Sequence, residues 1–481
     1  MSFFLNPIVA LLLTSLVGAT VLAFVWDYRW SARLNVFASG VVLLFALLLF
    51  RYRPQTNDFL LADDLNVVFI ALNALVGFTT SIFSASYIGH ELETGRLTPG
   101  YLRFYHAMFQ LMMFGMNLAL TANNIGLMWV AIELATLTTV MMVGIYRTHE
   151  ALEAAWKYFI LGSVGIALAL FGTILVYLAA VSVIGEGLDS MAWTNLLRHA
   201  AALDPSLLNV AFVFLLLGYG TKVGLAPMHA WLPDAHAEGP TPVSAVLSGL
   251  LLNVALYALL RFKMIMSASP QTIPVGPLMI TLGLGSLIFA AFMLYRRRDI
   301  KRMFAYSSIE HMGIIAFAFG MGGPLGNFAA LLQMCMHSLT KSAIFFSVGH
   351  IAQAKGTQKI ADIRGLTTSH PVLGWTLVAG VVAISGLPPF GVFMSEFLIL
   401  SSAFERSPAL AILAVFGLLL AFGALFLRLN TIAFGEPSGE WTPVRASYLP
   451  IFAHLALVLV AGLYLPAAMV TWFQNVAALL K

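Results

Sequence analysis

Seven side chains in this sequence can store a proton or hold water and yet stand among apolar residues: Glu133, Lys222, Asn253, His311, His337, Lys341 and Glu396. An ammonium group at the centre of a bilayer costs about 3 kcal/mol or more, so a lysine retained there faces a polar interior and marks an ion or proton path. Lys222 lies in LLNVAFVFLLLGYGTKVGLAP, with Pro227 five residues later. The proline removes a helix hydrogen bond, and a broken helix around a wet site is expected. Glu133 lies in GLMWVAIELATLTTVMMVGIYR. Pairing with Lys222 would offset both desolvation costs and couple the two titrations; the alternative is a protonated glutamate satisfied by Thr136. His311 follows Glu310 directly, about 100° around a helix, and imidazole titrates nearest neutrality. A buried hydrogen-bond network is the other reading of it. His337 and Lys341 are four apart and share one helical face, which favours a hydrated passage over a dry core. Asn253 can hold a water but cannot change charge. Glu396 comes seven residues after Pro389 in SGLPPFGVFMSEFLILSSAF, a second expected break at Pro388 and Pro389.

Other polar groups invite plainer readings. His229, Asp234, His236 and Glu238 are expected in a polar hairpin at the membrane surface, with no HExxH-type spacing for a metal. Asp63 and Asp64 read as solvated carboxylates at the mouth of a span, His350 as interfacial, and His454 as carrying no chemistry. The single cysteine, Cys335, excludes a disulfide framework and an iron–sulfur cluster held by this chain alone.

The elements that carry these residues follow from composition. Of 481 residues, 60% are hydrophobic and 10% charged, far below the roughly 25% charged of soluble domains. An all-α polytopic membrane protein is expected. Runs long enough to cross about 30 Å number fourteen: 5–26, 34–50, 65–89, 104–122, 125–146, 154–184, 207–230, 241–262, 273–294, 304–320, 325–352, 372–403, 408–434 and 447–475. The first is a span and not a cleavable signal, lacking a charged leader and a small-residue cleavage site. Sixteen of the 25 Lys and Arg residues then fall on one side and seven on the other, with Lys222 and Lys341 inside spans. This asymmetry predicts that both termini lie outside the cytoplasm. The net charge of +4 belongs to these loops, and no nucleic-acid role is expected. The breaks at Pro227 and at Pro388 and Pro389 lie five spans apart in helices of opposite direction. That is the signature of inverted repeats with a transport site between them. The expected organisation is a three-helix segment (1–103), a first repeat of spans 4–8 (104–262), a second inverted repeat of spans 9–13 (273–434) and a C-terminal helix (435–481).

HAWLPDAHAEGPTPVSA, the broken helix with Lys222, IKRMFAYSSIEHMG, MHSLTKSAIFF and GLPPFGVFMSEF together resemble the antiporter-like subunits of respiratory complex I, Mrp antiporters and membrane-bound hydrogenases. The likeness covers roughly residues 60 to 430. Glu310 before His311, the KGTQKIADIRGL loop and the length look most like the component F branch of hydrogenase 4. The resemblance implies fourteen helices and a charged axis along the middle of the membrane. On it, Glu133 and Lys222 form the family's ion pair, His311, His337 and Lys341 are central-axis groups, and Glu396 lies at the exit half-channel. Asn253 departs from the family's eighth-helix lysine, and the long lateral helix of the most distal complex I subunit is lacking. The implied activity is proton translocation within a multisubunit redox complex of the group 4 [NiFe] hydrogenase or formate hydrogenlyase kind, in a bacterial inner membrane. The NiFe and iron–sulfur centres would reside in partner subunits, with none in this chain. An Mrp-type cation/proton antiporter subunit, a non-conducting structural subunit and an inorganic-carbon-uptake subunit are the alternatives.

Overall fold

The computed structural model describes residues 6–438 and 447–480. Arg445 and Lys481, which enter the charge asymmetry, lie outside the described residues. Regular structure among the described residues is helical apart from three isolated β-bridges, as lipid demands, since a helix satisfies its backbone within one segment.

The first three helices are α1 (Pro7–Leu22), α2 (Tyr28–Leu48) and α3 (Asp64–Glu93). Each starts at a side-chain cap: Asn6, Asp27 and a reciprocal Asp63/Asn66 capping box. Next come α4 (Pro99–Thr121), α5 (Ile125–Val143), α6 (His149–Ile184), the short α7 (Trp193–Arg198) and α8 (Pro205–Val223). After a break follow α9 (Leu232–Glu238), α10 (Thr241–Val246), a π-helical turn (Leu247–Leu251) and α11 (Leu252–Ala268). The second half holds α12 (Gly276–Leu294), α13 (Ile300–Met321), α14 (Gly323–Lys355), a short α15 (Leu366–Ser369), α16 (Pro371–Ile384), α17 (Gly391–Arg406) and α18 (Pro408–Ala433). The chain closes with α19 (Leu449–Leu463) and α20 (Ala467–Leu479).

Every run expected to span is occupied by a helix or a broken helix pair. Among the described residues, eight helices are long and apolar enough to cross a membrane, and a ninth crossing results if α19 and α20 count as one. This is a multi-pass membrane protein. The expected single C-terminal helix is instead bent by 83° between α19 and α20, where Pro466 stands.

Burial sorts the helices into an inner and an outer set. α14 and the stretch from Thr241 to Met266 are almost wholly buried, whereas α6 and α18 turn Trp156, Phe159, Ile412 and Leu419 outward. Where lipid is as apolar as the interior, helices associate through close packing of small residues. A Cβ added at Gly283 would lie 2.5 Å from the Phe317 nitrogen, joining α12 to α13, and one at Gly218 would lie 2.5 Å from that of Ala169, joining α8 to α6.

Candidate functional site

The first break begins at Gly224, in the left-handed conformation (φ 81°) that ends α8. Pro227 follows in a cis peptide with Ala226. Side chains bond the backbone around the break: Ser286 Oγ accepts from Ala226 N at 2.8 Å, and Trp231 Nε1 donates to Thr221 O at 2.8 Å beside the Gly224 amide. Trp231 in turn stacks on Tyr158 of α6, with ring centroids 4.2 Å apart. These contacts tie the break to α6 and α12.

Lys222 occupies the last turn of α8, where the helix dipole favours a cation, and its side chain is 0% exposed. Its Nζ donates to Thr136 Oγ1 at 2.9 Å and lies 3.5 Å from Glu133 Oε2. Glu133 is 18% exposed. The expected pair therefore forms, but more loosely than the 2.7–2.9 Å of a tight charge-assisted bond. Gly162 of α6 makes the room, since a Cβ there would stand 3.0 Å from Nζ.

Asn253 follows the π-helical turn. Its Nδ2 donates to Ser338 Oγ at 2.7 Å and Met334 O at 3.1 Å, while its Oδ1 is buried without a partner. Ser338 bonds back to Gly249 O, and Ser248 Oγ lies 2.7 Å from Ser308 Oγ. A π-turn leaves backbone groups out of register and is frequent at functional sites. Here it ties α11 to α13 and α14.

The second cluster gathers around the other break. Pro388 and Pro389, joined by a cis bond, separate α16 from α17. Gly386 (φ 64°) lies directly against the Glu396 carboxylate, and a Cβ there would run into Oε2. His311 Nδ1 is 3.6 Å from Glu396 Oε1 and 3.1 Å from Gln333 Nε2, and Gln333 Nε2 is 3.5 Å from Glu396 Oε1. Ser395 donates to Gln333 Oε1. Glu310 Oε2 lies 3.4 Å from His311 Nε2. The His337 ring is 5.6 Å from that of His311, with both nitrogens unpartnered, and Lys341 Nζ donates to Phe304 O at 3.0 Å. Glu310, Gln333 and Ser395 were not foreseen as site residues. The spacing of Gln333 four residues before His337 was the available signal.

Several plainer readings need correction. His236 is fully buried and stacks on Phe345 (4.9 Å, 11°), because α9 folds inward and is no surface hairpin. Asp234 and Glu238 stay partly exposed, against Lys157 and Arg302. His350 is buried against Phe83 of α3 and does not face solvent. Asp63 is held by Arg261 at 2.6 and 2.9 Å. His454 bonds Thr79 and Leu339 O, which fastens α19 to α3 and α14. Among the described residues no three His, Cys, Asp or Glu side chains could hold a metal together.

Residues 122–421 match the family described as NADH:quinone oxidoreductase/Mrp antiporter, transmembrane region. The chain belongs to this family. A relative named hydrogenase-4 component F homolog, from Methylacidiphilum infernorum (isolate V4), is 62% identical over 472 residues, covering 98% of this chain and 99% of its own. A chain of the membrane-bound sulfane sulfur reductase, an archaeal respiratory membrane complex, superposes with a TM-score of 0.88 at 23% identity, covering 98% of this chain and 97% of its own. A chain of the Mrp complex from Dietzia sp. DQ12-45-1b gives 0.84 at 18% identity, covering 100% and 97%. The antiporter-like fold is thus shared, and in this family member its two helix breaks carry Lys222 and Glu396.

Proposed function

We propose that this chain is the proton-translocating membrane subunit of a multisubunit redox complex of the hydrogenase-4 kind. The observation that carries the reading is the pair of titratable clusters, each at a helix break, with Asn253 of α11 and the His337 and Lys341 face of α14 also buried in the interior. Glu133 and Lys222 form the switchable end. At an effective dielectric near 20, charges 3.5 Å apart attract by about 5 kcal/mol. Drawing Glu133 away therefore destabilises the Lys222 ammonium and releases its proton toward the middle of the chain. Asn253 holds a water there, where it cannot hold a proton. His337, Lys341, His311 and Gln333 pass the proton to Glu396, and Glu310 stabilises the positive charge in transit. Carboxylates, amines and imidazoles suit H+, while Na+ would need several convergent oxygens.

In this reading the chain has the two inverted five-helix repeats expected from the sequence, its fourteen helical runs all cross the bacterial inner membrane, and both termini face away from the cytoplasm. The redox centres belong to partner subunits, as the 62% identity to a hydrogenase-4 component F homolog supports. The test uses the chain purified with its native partners and reconstituted in vesicles. Lys222→Ala and Glu396→Gln are expected to abolish proton movement driven by the partners' turnover, while the complex stays assembled. Undiminished proton movement in both variants refutes the proposal. Recovery of small membrane subunits only, without redox partners, would replace it with an Mrp-type antiporter.

A further inference from the structure

α14 presents a contact at every fourth residue for most of its length. Gln333 meets His311, His337 faces the same ring and Lys341 follows, at the steps already described. The series continues beyond Lys341. Phe345 stacks on His236, Gly349 lies so close to Thr241 that a Cβ would stand 2.9 Å from its Cγ2, and Gln353 donates to Glu91 Oε1 at 2.7 Å. At about 1.5 Å per residue, Glu91 lies about 18 Å along α14 from Lys341.

Glu91, in the last turn of α3, has no role in the scheme above. It is 0% exposed, and its Oε2 lies 3.6 Å from the Arg96 guanidinium. Arg96 is 60% exposed, so one flexible side chain separates this buried carboxylate from water. Inward of it stand hydroxyls. Tyr146 lies beside Glu91 and Tyr87 with its own hydroxyl otherwise unpartnered, and Tyr87 Oη is 3.3 Å from Thr241 Oγ1. Further in, both ring nitrogens of His236 are buried without partners, as are Gln353 Oε1 and His350 Nδ1. Buried polar groups of this kind are commonly served by bound water. Lys301 also faces this region and donates to Ala237 O and Gly239 O at 2.9 and 2.6 Å.

We infer that Glu91 is the proton-loading carboxylate of a second entrance, opening beside Arg96, which feeds Lys341 through Tyr146, Tyr87, Thr241, His236 and intervening water. Only protons move: Glu91 takes one from water at the Arg96 side, the hydroxyls and water relay it, and the Lys341 amine accepts it. The entrance opens on the face richer in Lys and Arg; its protons reach Lys341 without passing Glu133 or Lys222, whose ion pair still switches the step from Lys341 onward to Glu396. One break then admits protons at the Glu133 end, the other discharges them at Glu396, and the group between them has a supply of its own. The inference rests on the proton-translocating reading of the chain.

The test uses the assembled complex in vesicles, with proton movement measured per turnover of the partners. Glu91→Gln preserves a hydrogen bond to Gln353 and removes only the titration. It is expected to slow proton delivery about tenfold or more, with Glu91→Asp retaining most of the rate. Tyr146→Phe, which deletes one hydroxyl, is expected to slow it as well and decides the question if Glu91→Gln does not assemble. Wild-type rates in Glu91→Gln and Tyr146→Phe alongside an inactive Lys222→Ala would overturn the inference and leave Glu91 as a staple between α3 and α14. Wild-type rates in all three would remove the proton-translocating reading itself.

Discussion

At the scale of single residues, the site depends on glycines as much as on charges. Gly386 takes a left-handed backbone that an L side chain adopts at a cost of about 1 kcal/mol, and its missing Cβ is the space that the Glu396 carboxylate fills. Gly386→Ala is therefore expected to displace Glu396 from His311 and to reduce proton movement toward the level of Glu396→Gln, without disturbing Lys222. A variant that pumps normally would show that Glu396 works from another position. Charges such as Lys222, Glu133 and Glu396 were legible in the sequence because a charge among apolar residues has no free explanation. Gln333 and Ser395 were not, since neither changes charge and nothing in the sequence shows that Gln333 meets His311 and Glu396 or that Ser395 bonds Gln333. Glu91 escaped for a different reason: near the end of a helix, beside Glu93 and Arg96, it reads as a solvated terminus, and only the packing of α14 over it reveals burial.

At the scale of elements, the two breaks were announced by Pro227 and by Pro388 and Pro389, whose chemistry cannot continue a helix. What holds a break in place was not announced. Thr221 O, which accepts from the Gly224 amide at 3.2 Å where α8 ends, takes a second hydrogen bond from the Trp231 indole ten residues later. Trp231→Phe keeps an aromatic ring against Tyr158 and leaves that carbonyl with the Gly224 amide alone, so it removes one hydrogen bond at a cost of about 1 kcal/mol. A lower thermal midpoint in detergent, with the Lys222 pair loosened, is the expected outcome; an unchanged midpoint would mean that water serves the carbonyl equally well. The π-turn over Leu247–Leu251 shows the limit of pattern reading. LSGLL is an ordinary helical string, and nothing in it marks the turn at which Ser248 meets Ser308 and Gly249 O accepts from Ser338. By contrast the bend before α20 had a visible cause in Pro466, which the apolar run around it concealed.

For the whole molecule, the question is how the first three helices are fixed to the part that carries the charged axis. One answer is a contact 198 positions apart, which no local pattern could reveal: Arg261, buried midway along α11, grips Asp63 at the start of α3. The guanidinium also donates to Tyr257 Oη at 2.8 Å and lies 4.3 Å from the Trp193 ring centroid, so it remains buried whatever happens to its partner. Removing one member of a buried pair leaves the other uncompensated, and Asp63→Asn is expected to cost about 3 kcal/mol. The pH dependence has a definite sign. Burial pushes the Asp63 carboxyl up, but the Arg261 charge and hydrogen bonds, with the Asn66 and Leu65 amides, pull it further down, below the usual carboxylate range. A depressed group contributes its full stability above the unfolded value of about 3.9 and loses it as pH falls through the lower folded value. The difference in thermal midpoint between the wild type and Asp63→Asn is thus expected to be constant from neutral pH down to about pH 5 and to close only below about pH 4. A difference that closes near neutrality would mean that Asp63 is not the anion holding Arg261, and that the three-helix segment is fastened to the axis by packing and by neutral contacts such as Tyr87 with Thr241.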